Sequence, residues 1–176
     1  MRKLKIPCFI LTIPLLLTLS LLVNAQSKRA PQYVVSFDSF GSVKVGMTVP
    51  KASKALGVRL ARDAGYEGNS CYYVSPKGSF KNVAFMMAGQ QIARIDIDGK
   101  QYSTDRGAKV GDTEAKIKLL YKGMYKVSKH PYVDGHYIEV KMKGGKYSLI
   151  FETDGKRVTS FRAGRFPEVG YIEGCS

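Results

Sequence analysis

The sequence predicts an α+β protein of two tandem repeats, each a short helical segment followed by a three-stranded antiparallel meander, the strands forming a sheet with the helices on one face. Three observations predict it. "KVGMT" at residues 44–48 returns as "KVGDT" at 109–113, an offset of 65 residues. "FMMAGQQIARIDI" (85–97) lies over "FETDGKRVTSFRA" (151–163) at an offset of 66, matching Phe85 with Phe151, Gly89 with Gly155, Ile92 with Val158 and Ile95 with Phe161. After each helical run the residues alternate apolar and polar with period two, as half-buried strands do. A unit repeated at this spacing speaks to architecture before chemistry.

Residues 1–25 read as an export signal. Arg2, Lys3 and Lys5 supply the positive start, Cys8 to Val23 an uncharged and mostly apolar stretch, and Val23-Asn24-Ala25 a small-residue cleavage site. An uncleaved anchor is the alternative, since Ile6 to Val23 is 18 residues without a charge. Pro7, Pro14 and the small terminal residue favour cleavage after Ala25, which leaves no transmembrane segment. Removing the three basic residues of the signal from the 28 in the chain leaves 25 against 14 acidic ones, a net charge of +11. Such a charge favours anionic partners over cationic ones. Only Cys71 and Cys175 survive cleavage, and two cysteines in an oxidising compartment pair. Their bridge would close a loop of about 100 residues, a constraint of roughly 4 to 5 kcal/mol in the chain-entropy view. The expected location is therefore periplasmic or secreted.

The first repeat spans 26–103. Gly46 lets the chain turn into Thr48, which fits a helix N-cap, and Pro50 falls in the first turn, where no intrahelical N–H is needed. Ala52, Ala55 and Leu56 follow with helical spacing, and Gly57 ends the run after about three turns. Strands are expected at Cys71–Val74, Val83–Met87 and Gln91–Ile97, with a turn at Ala88-Gly89. The second repeat, 104–176, reads alike. Gly111 and Thr113 open a helix carrying Ile117, Leu120 and Tyr121, which Gly123 ends. His136, Ile138, Val140 and Met142 then share one face, while Tyr137, Glu139 and Lys141 share the other. Gly144-Gly145 turns the chain into Tyr147, Leu149 and Phe151, and Asp154-Gly155 turns it into Thr159, Phe161 and Ala163. Phe85, Ile95, Phe151 and Phe161 are expected in equivalent buried positions.

The "VGMT...A..ALG" run, followed by hairpins and repeated after 65 residues, resembles the tandem-repeat β-lactamase inhibitory protein. Within each unit it is similar to the small outer-membrane assembly lipoproteins, which share a helix-then-sheet motif. The resemblance covers most of residues 40 to 165 and implies a concave sheet formed across the two repeats that grips a partner protein.

No catalytic centre, metal site or cofactor is expected. His130 and His136 have no third ligand nearby. Glu139 and Glu152 stand on an outer strand face with Lys141, without the apolar pocket that a raised carboxyl pKa needs. No nucleophile elbow or phosphate-binding glycine loop is present. The expected site is the sheet face opposite Ile95 and Phe161. The hairpin alignment matches Ile92, Arg94 and Asp96 with Val158, Ser160 and Arg162 there, joined by Met86 and Glu152. Tyr72, Met86, Arg94, Tyr137, Glu139, Lys141, Glu152 and Arg162 are the expected partner-binding residues, with Tyr72, Tyr137 and Arg162 as anchors because Tyr and Arg dominate interface energies. The alternative for this face is packing on the chain's own tail after Ala163. The sequence therefore predicts an exported, non-enzymatic protein that binds a macromolecule as an inhibitor or envelope assembly factor. A second reading is a basic module for anionic envelope polymers or lipids, using Lys116, Lys118, Lys122, Lys126, Lys129, Lys141, Lys143 and Lys146. Nucleic acid, met only after export, is not expected.

Overall fold

The computed structural model describes residues 33–65, 68 and 70–175, all within one compact unit. The expected signal segment lies outside the described residues. The chain opens with three two-residue strands, β1 (Val34–Val35), β2 (Ser39–Phe40) and β3 (Val43–Lys44), and then helix α1 (Val49–Leu56). Strands β4 (Leu60–Arg62), β5 (Cys71–Pro76), β6 (Val83–Ala88) and β7 (Gln91–Ile97) follow, then β8 (Ser103–Thr104) and helix α2 (Glu114–Leu120). Strands β9 (Tyr125–Lys129), β10 (His136–Lys141), β11 (Tyr147–Thr153) and β12 (Val158–Arg165) precede a 3-10 turn at Glu168–Gly170.

This architecture corrects the expected α+β layout of two helix-and-three-strand repeats. The described chain is mostly β, with two sheets. The larger has eight antiparallel strands in the order β4-β5-β6-β7-β12-β11-β10-β9, and the smaller has four in the order β3-β2-β1-β8. Strands of two or three residues are too short to carry an alternation signal, which is why β1 to β4 and β8 had no place in the sequence reading. The seam of the large sheet joins β7 to β12, with Arg162 opposite Asp96 and Gly164 opposite Arg94. Gly164 is required there, because a Cβ would stand 2.5 Å from the Ala93 carbonyl oxygen and 2.9 Å from Arg94 Cα.

The main core lies between one face of the large sheet and a layer made of α1, α2 and the small sheet. Phe85, Ile95, Phe151 and Phe161 are all buried in it, with Val35, Phe40 and Val43 from the small sheet and Leu56 and Ile117 from the helices. The two related pentapeptides are fastened to this sheet in the same manner. Gly46 N donates to Ile92 O at 2.7 Å and Ile92 N to Met47 O at 2.9 Å; Gly111 N donates to Val158 O at 2.8 Å and Val158 N to Asp112 O at 2.9 Å. Both glycines have φ near +90° (92° and 90°), which side chains rarely tolerate.

Local expectations are corrected too. Thr113 caps α2 by accepting from Lys116 N, but the Thr48 side chain makes no capping bond. The helices have eight and seven residues, two turns rather than three, and α2 ends at Leu120, before Gly123. Ile92 and Val158 face the core, not the Arg94 side. A register shift leaves Ala93 unmatched between Met86↔Arg94 and Met87↔Ile92, and another leaves Thr159 unmatched between Glu152↔Ser160 and Thr153↔Val158. Each bulge inverts the facing of the residue before it.

Candidate functional site

The far face of the large sheet, expected to be open, is closed over its centre by residues 166–175. The 3-10 turn of this strap contacts β7, β11 and β12. Val169 packs with Tyr137 and Ile150 in a second small apolar cluster. Arg94 Nη1 donates to the carbonyl oxygens of Glu168 and Tyr171, and Arg162 Nε donates to that of Val169 at 2.8 Å. The Cys71–Cys175 disulfide ties the end of the strap to β5.

Four of the expected binding residues are therefore buried: Met86 at 0% exposure, Arg94 at 4%, Arg162 at 5% and Tyr137 at 8%. The physical reason is that the tail supplies backbone carbonyls to two guanidiniums whose remaining N–H groups are engaged by Asp96 and Tyr73 for Arg94 and by Glu152 for Arg162. Tyr72 is corrected as well, since it packs against the main core on the opposite face, with the Arg62 guanidinium 4.2 Å from its ring centre. Tyr73 is the β5 aromatic that reaches the far face, where its hydroxyl accepts from Arg94 at 2.8 Å. Glu139, Glu152 and Lys141 remain reachable by solvent at the margin.

His130 is buried beside Tyr137, with its ring stacked on that side chain. Its Nδ1 accepts from the backbone N–H groups of Tyr132 and Val133, so its Nε2 carries the proton and donates to Glu152 Oε1 at 3.0 Å. The Tyr137 hydroxyl lies 3.0 Å from the same nitrogen. Burial, with the nearby Glu152 charge, raises the Tyr137 pKa above the usual tyrosine value. Both ring nitrogens are thus committed to protein atoms, which pins the 130–136 turn onto the sheet. His136 stands apart, paired through Nδ1 with Glu114 at 2.7 Å. Among the described residues no group of three or more His, Cys, Asp and Glu side chains is arranged to hold a metal ion.

What stays open is the β9 end of the large sheet. All five residues of β9, Tyr125 and Val127 among them, are exposed, and so is Met142 just past the end of β10. A hollow of about 420 Å³ is lined by Gly123, Met124, Tyr125, Lys126, Glu139, Lys141 and Lys143. Of the eight lysines singled out in the sequence, Lys116 pairs with Asp112, Lys118 with Glu114 and Lys141, at 3.7 Å, with Glu139. Lys122, Lys126, Lys129, Lys143 and Lys146 have no carboxylate of the described residues within ion-pair distance. The structure thus brings Lys126, Lys141 and Lys143 together, with Lys122 beside them in sequence and Lys129 further along the same strand. Sequence reasoning missed Tyr125 and Val127, although "YKVSK" does alternate them with Lys126 and Ser128.

No protein-family model and no curated protein sequence matches the chain. Among solved structures the chain is similar to the crystal structure of the uncharacterized protein yfeY from Escherichia coli, at 18% sequence identity and a TM-score of 0.50, over 75% of this chain and 99% of that one. That likeness concerns the fold alone.

Proposed function

We propose that the chain is an exported, non-enzymatic binding protein that engages an anionic macromolecule at the lysine-rich β9 end of its large sheet. The observation that carries this reading is that Lys126 and Lys143, with no carboxylate partner among the described residues, line one hollow with Lys141 and exposed Tyr125, while exposed Val127 and Lys129 continue along the same strand. Lysine beside exposed apolar side chains suits a partner that is negatively charged and offers some apolar surface. The face on which a sheet-gripping inhibitor mode would rely is occupied at its centre by the strap, so the reading moves to the sheet's end. The Cys71–Cys175 bridge supports export, because such bonds persist in oxidising compartments. No helix among the described residues is long and apolar enough to cross a membrane.

The test is binding of the purified protein to polyglutamate and to phosphatidylglycerol vesicles, each at low and at high salt. Binding to at least one should weaken steeply as salt rises, because exposed charges are screened beyond about 8 Å at physiological ionic strength. Lys126→Glu with Lys143→Glu should abolish it, while Lys51→Glu with Lys54→Glu, on α1, should not. Equal loss in both double variants would reduce the effect to net charge and remove the site.

A further inference from the structure

The large sheet ends at β9, and the outer edge of that strand has no partner strand among the described residues. Which of its backbone groups point outward follows from the ladder. Met124 O accepts from Lys141 N at 3.3 Å, and His130 N donates to Gly135 O at 2.9 Å, at the two ends of the β9–β10 register. The even-numbered residues from 124 to 130 therefore bond to β10. In an antiparallel ladder the intervening residues turn their N–H and C=O the other way. Tyr125, Val127 and Lys129 thus present a row of donors and acceptors to solvent.

We propose that this edge takes an acidic, extended polypeptide segment by strand addition. The inference rests on reading this end of the molecule as an anion-binding surface, and it names the partner as a protein segment. Two features select that occupant. The alternating N–H and C=O groups at strand spacing can be used in full only by another backbone, not by a lipid head group or a polysaccharide. The lysines along and beside the edge, Lys122, Lys126, Lys129 and Lys143, select against a second copy of this chain, which would bring the same cations and no carboxylate. Edge lysines commonly serve to block such pairing. An acidic segment converts that repulsion into attraction. Glu139, the register partner of Lys126 on β10, does not neutralise it, since its carboxylate is engaged by Ser148 and Lys141 instead.

The register also gives the segment its pattern. Val127 on one face of the sheet calls for an apolar residue opposite, and Lys126 on the other face calls for a carboxylate. The residue facing Lys126 would sit in a non-hydrogen-bonded pair, where side chains approach most closely.

The test uses an alternating glutamate–valine peptide of about ten residues, the length of a long strand, and two versions of it N-methylated at alternate residues in one phase or the other. Both keep the charge, but each removes the backbone donors on one edge. Strand addition predicts that the parent peptide binds and that one methylated phase loses about tenfold or more while the other keeps its affinity, as expected for losing one or two hydrogen bonds. Val127→Pro removes an outward N–H at an edge position, where proline is tolerated. It should weaken binding of the parent peptide similarly, and should weaken no further the methylated phase that has already lost its affinity. If both methylated phases bind like the parent, the contact is charge alone, and strand addition is overturned while the anion-binding reading stands. Vesicle binding without peptide binding has the same consequence. Dimerisation of the protein through β9 would also overturn it, and failure of every anionic probe would end both readings.

Discussion

Arg94 Nη1 donates to the carbonyl oxygen of Tyr171 at 2.7 Å, across 77 residues of sequence. The same guanidinium pairs with Asp96 at 2.7 Å and donates to the Glu168 carbonyl oxygen at 3.2 Å. One buried arginine thus ties the centre of the sheet to the C-terminal strap. Arg94→Ala should cost about 2 to 4 kcal/mol, because it leaves Asp96 and two carbonyls without their donor. Urea denaturation measures the loss, and amide exchange at 170–173 should accelerate. Arg94→Lys should fall between the two, since an ammonium cannot span the same acceptors. A loss below about 0.5 kcal/mol, the range of neutral surface changes, would mean that the strap is held by other contacts.

The second anchor of the strap is covalent. Cys71 and Cys175 are 104 residues apart in sequence, and their Cα atoms are 5.4 Å apart. Cys175→Ser should destabilise the protein by about 2 to 4 kcal/mol, somewhat less than loop-closure entropy alone gives. Intact mass with and without reductant checks the bond itself. Two thiols reacting in the folded, unreduced protein would rule it out.

Ile92 distinguishes a bulged strand from a regular one. Strict alternation puts it beside Arg94 on the far face, whereas the bulge at Ala93 turns it into the core at 0% exposure. Ile92→Ala should therefore cost about 2 to 4 kcal/mol, and Phe161→Ala about 3 to 5. An Ile92→Ala change worth less than about 1 kcal/mol would restore the unbulged register.

What the sequence made legible was the part of the molecule that repeats a pattern over several residues. The core positions of Phe85, Ile95, Phe151 and Phe161 follow from alternation, and the pairing of Cys71 with Cys175 from elimination. The pentapeptide turns were legible because only glycine takes their backbone angles. Other features leave no such trace. The bulges at Ala93 and Thr159 are shifts of one residue, invisible without the partner strand. Strand β9 buries neither face, and the alternation in "YKVSK" covers only Tyr125 and Val127, too short a run to mark a strand. The course of the strap over Tyr137 and Arg162 was legible only as the alternative reading of that face, because apart from Val169 and Cys175 it is held through backbone carbonyls, which every residue has. The face was read as an interface from its mixture of apolar and charged residues, and that mixture is indeed buried, but by the chain itself.

The seam between β7 and β12 depends on the absence of a side chain. Gly164→Ala would place a methyl group 2.5 Å from a backbone oxygen and 2.9 Å from a backbone carbon of the neighbouring strand, neither of which can move without opening the ladder. The expected loss is about 2 to 3 kcal/mol, at the upper end of overpacking costs. Gly145→Ala, where a Cβ meets nothing within 4 Å, is the comparison. Its φ of +73° makes it strained too, so it calibrates conformational strain without the clash. If the two variants melted alike, close approach at the seam would not be the reason for Gly164.

Acid should weaken the fold through Glu114, the first residue of α2. Burial alone would raise its pKa, but Thr153, Lys118 and His136 hydrogen-bond the carboxylate and together hold it at about 2. The contacts are short: Thr153 Oγ1 donates at 2.6 Å, Lys118 Nζ at 2.9 Å, and His136 Nδ1 lies at 2.7 Å. A carboxyl whose folded pKa lies below its unfolded value contributes stability that is fully present above the unfolded value, near 4.5, and is lost as pH falls toward about 2. The contribution is about 2 kcal/mol at neutral pH, given about 1.4 kcal/mol for each tenfold change in the protonation equilibrium and a reduction for the solvent that reaches Lys118 and His136. Glu114→Gln should remove most of it at neutral pH and flatten the stability curve between pH 4.5 and about 2. Helix α2 and the β11–β12 turn should loosen first, since Glu114 N also donates to Lys156 O at 3.1 Å and joins the two. Parallel acid denaturation curves for the two proteins would show that the carboxylate is as well solvated in the unfolded chain as it is held in the folded one, and would remove this cluster from the account of stability.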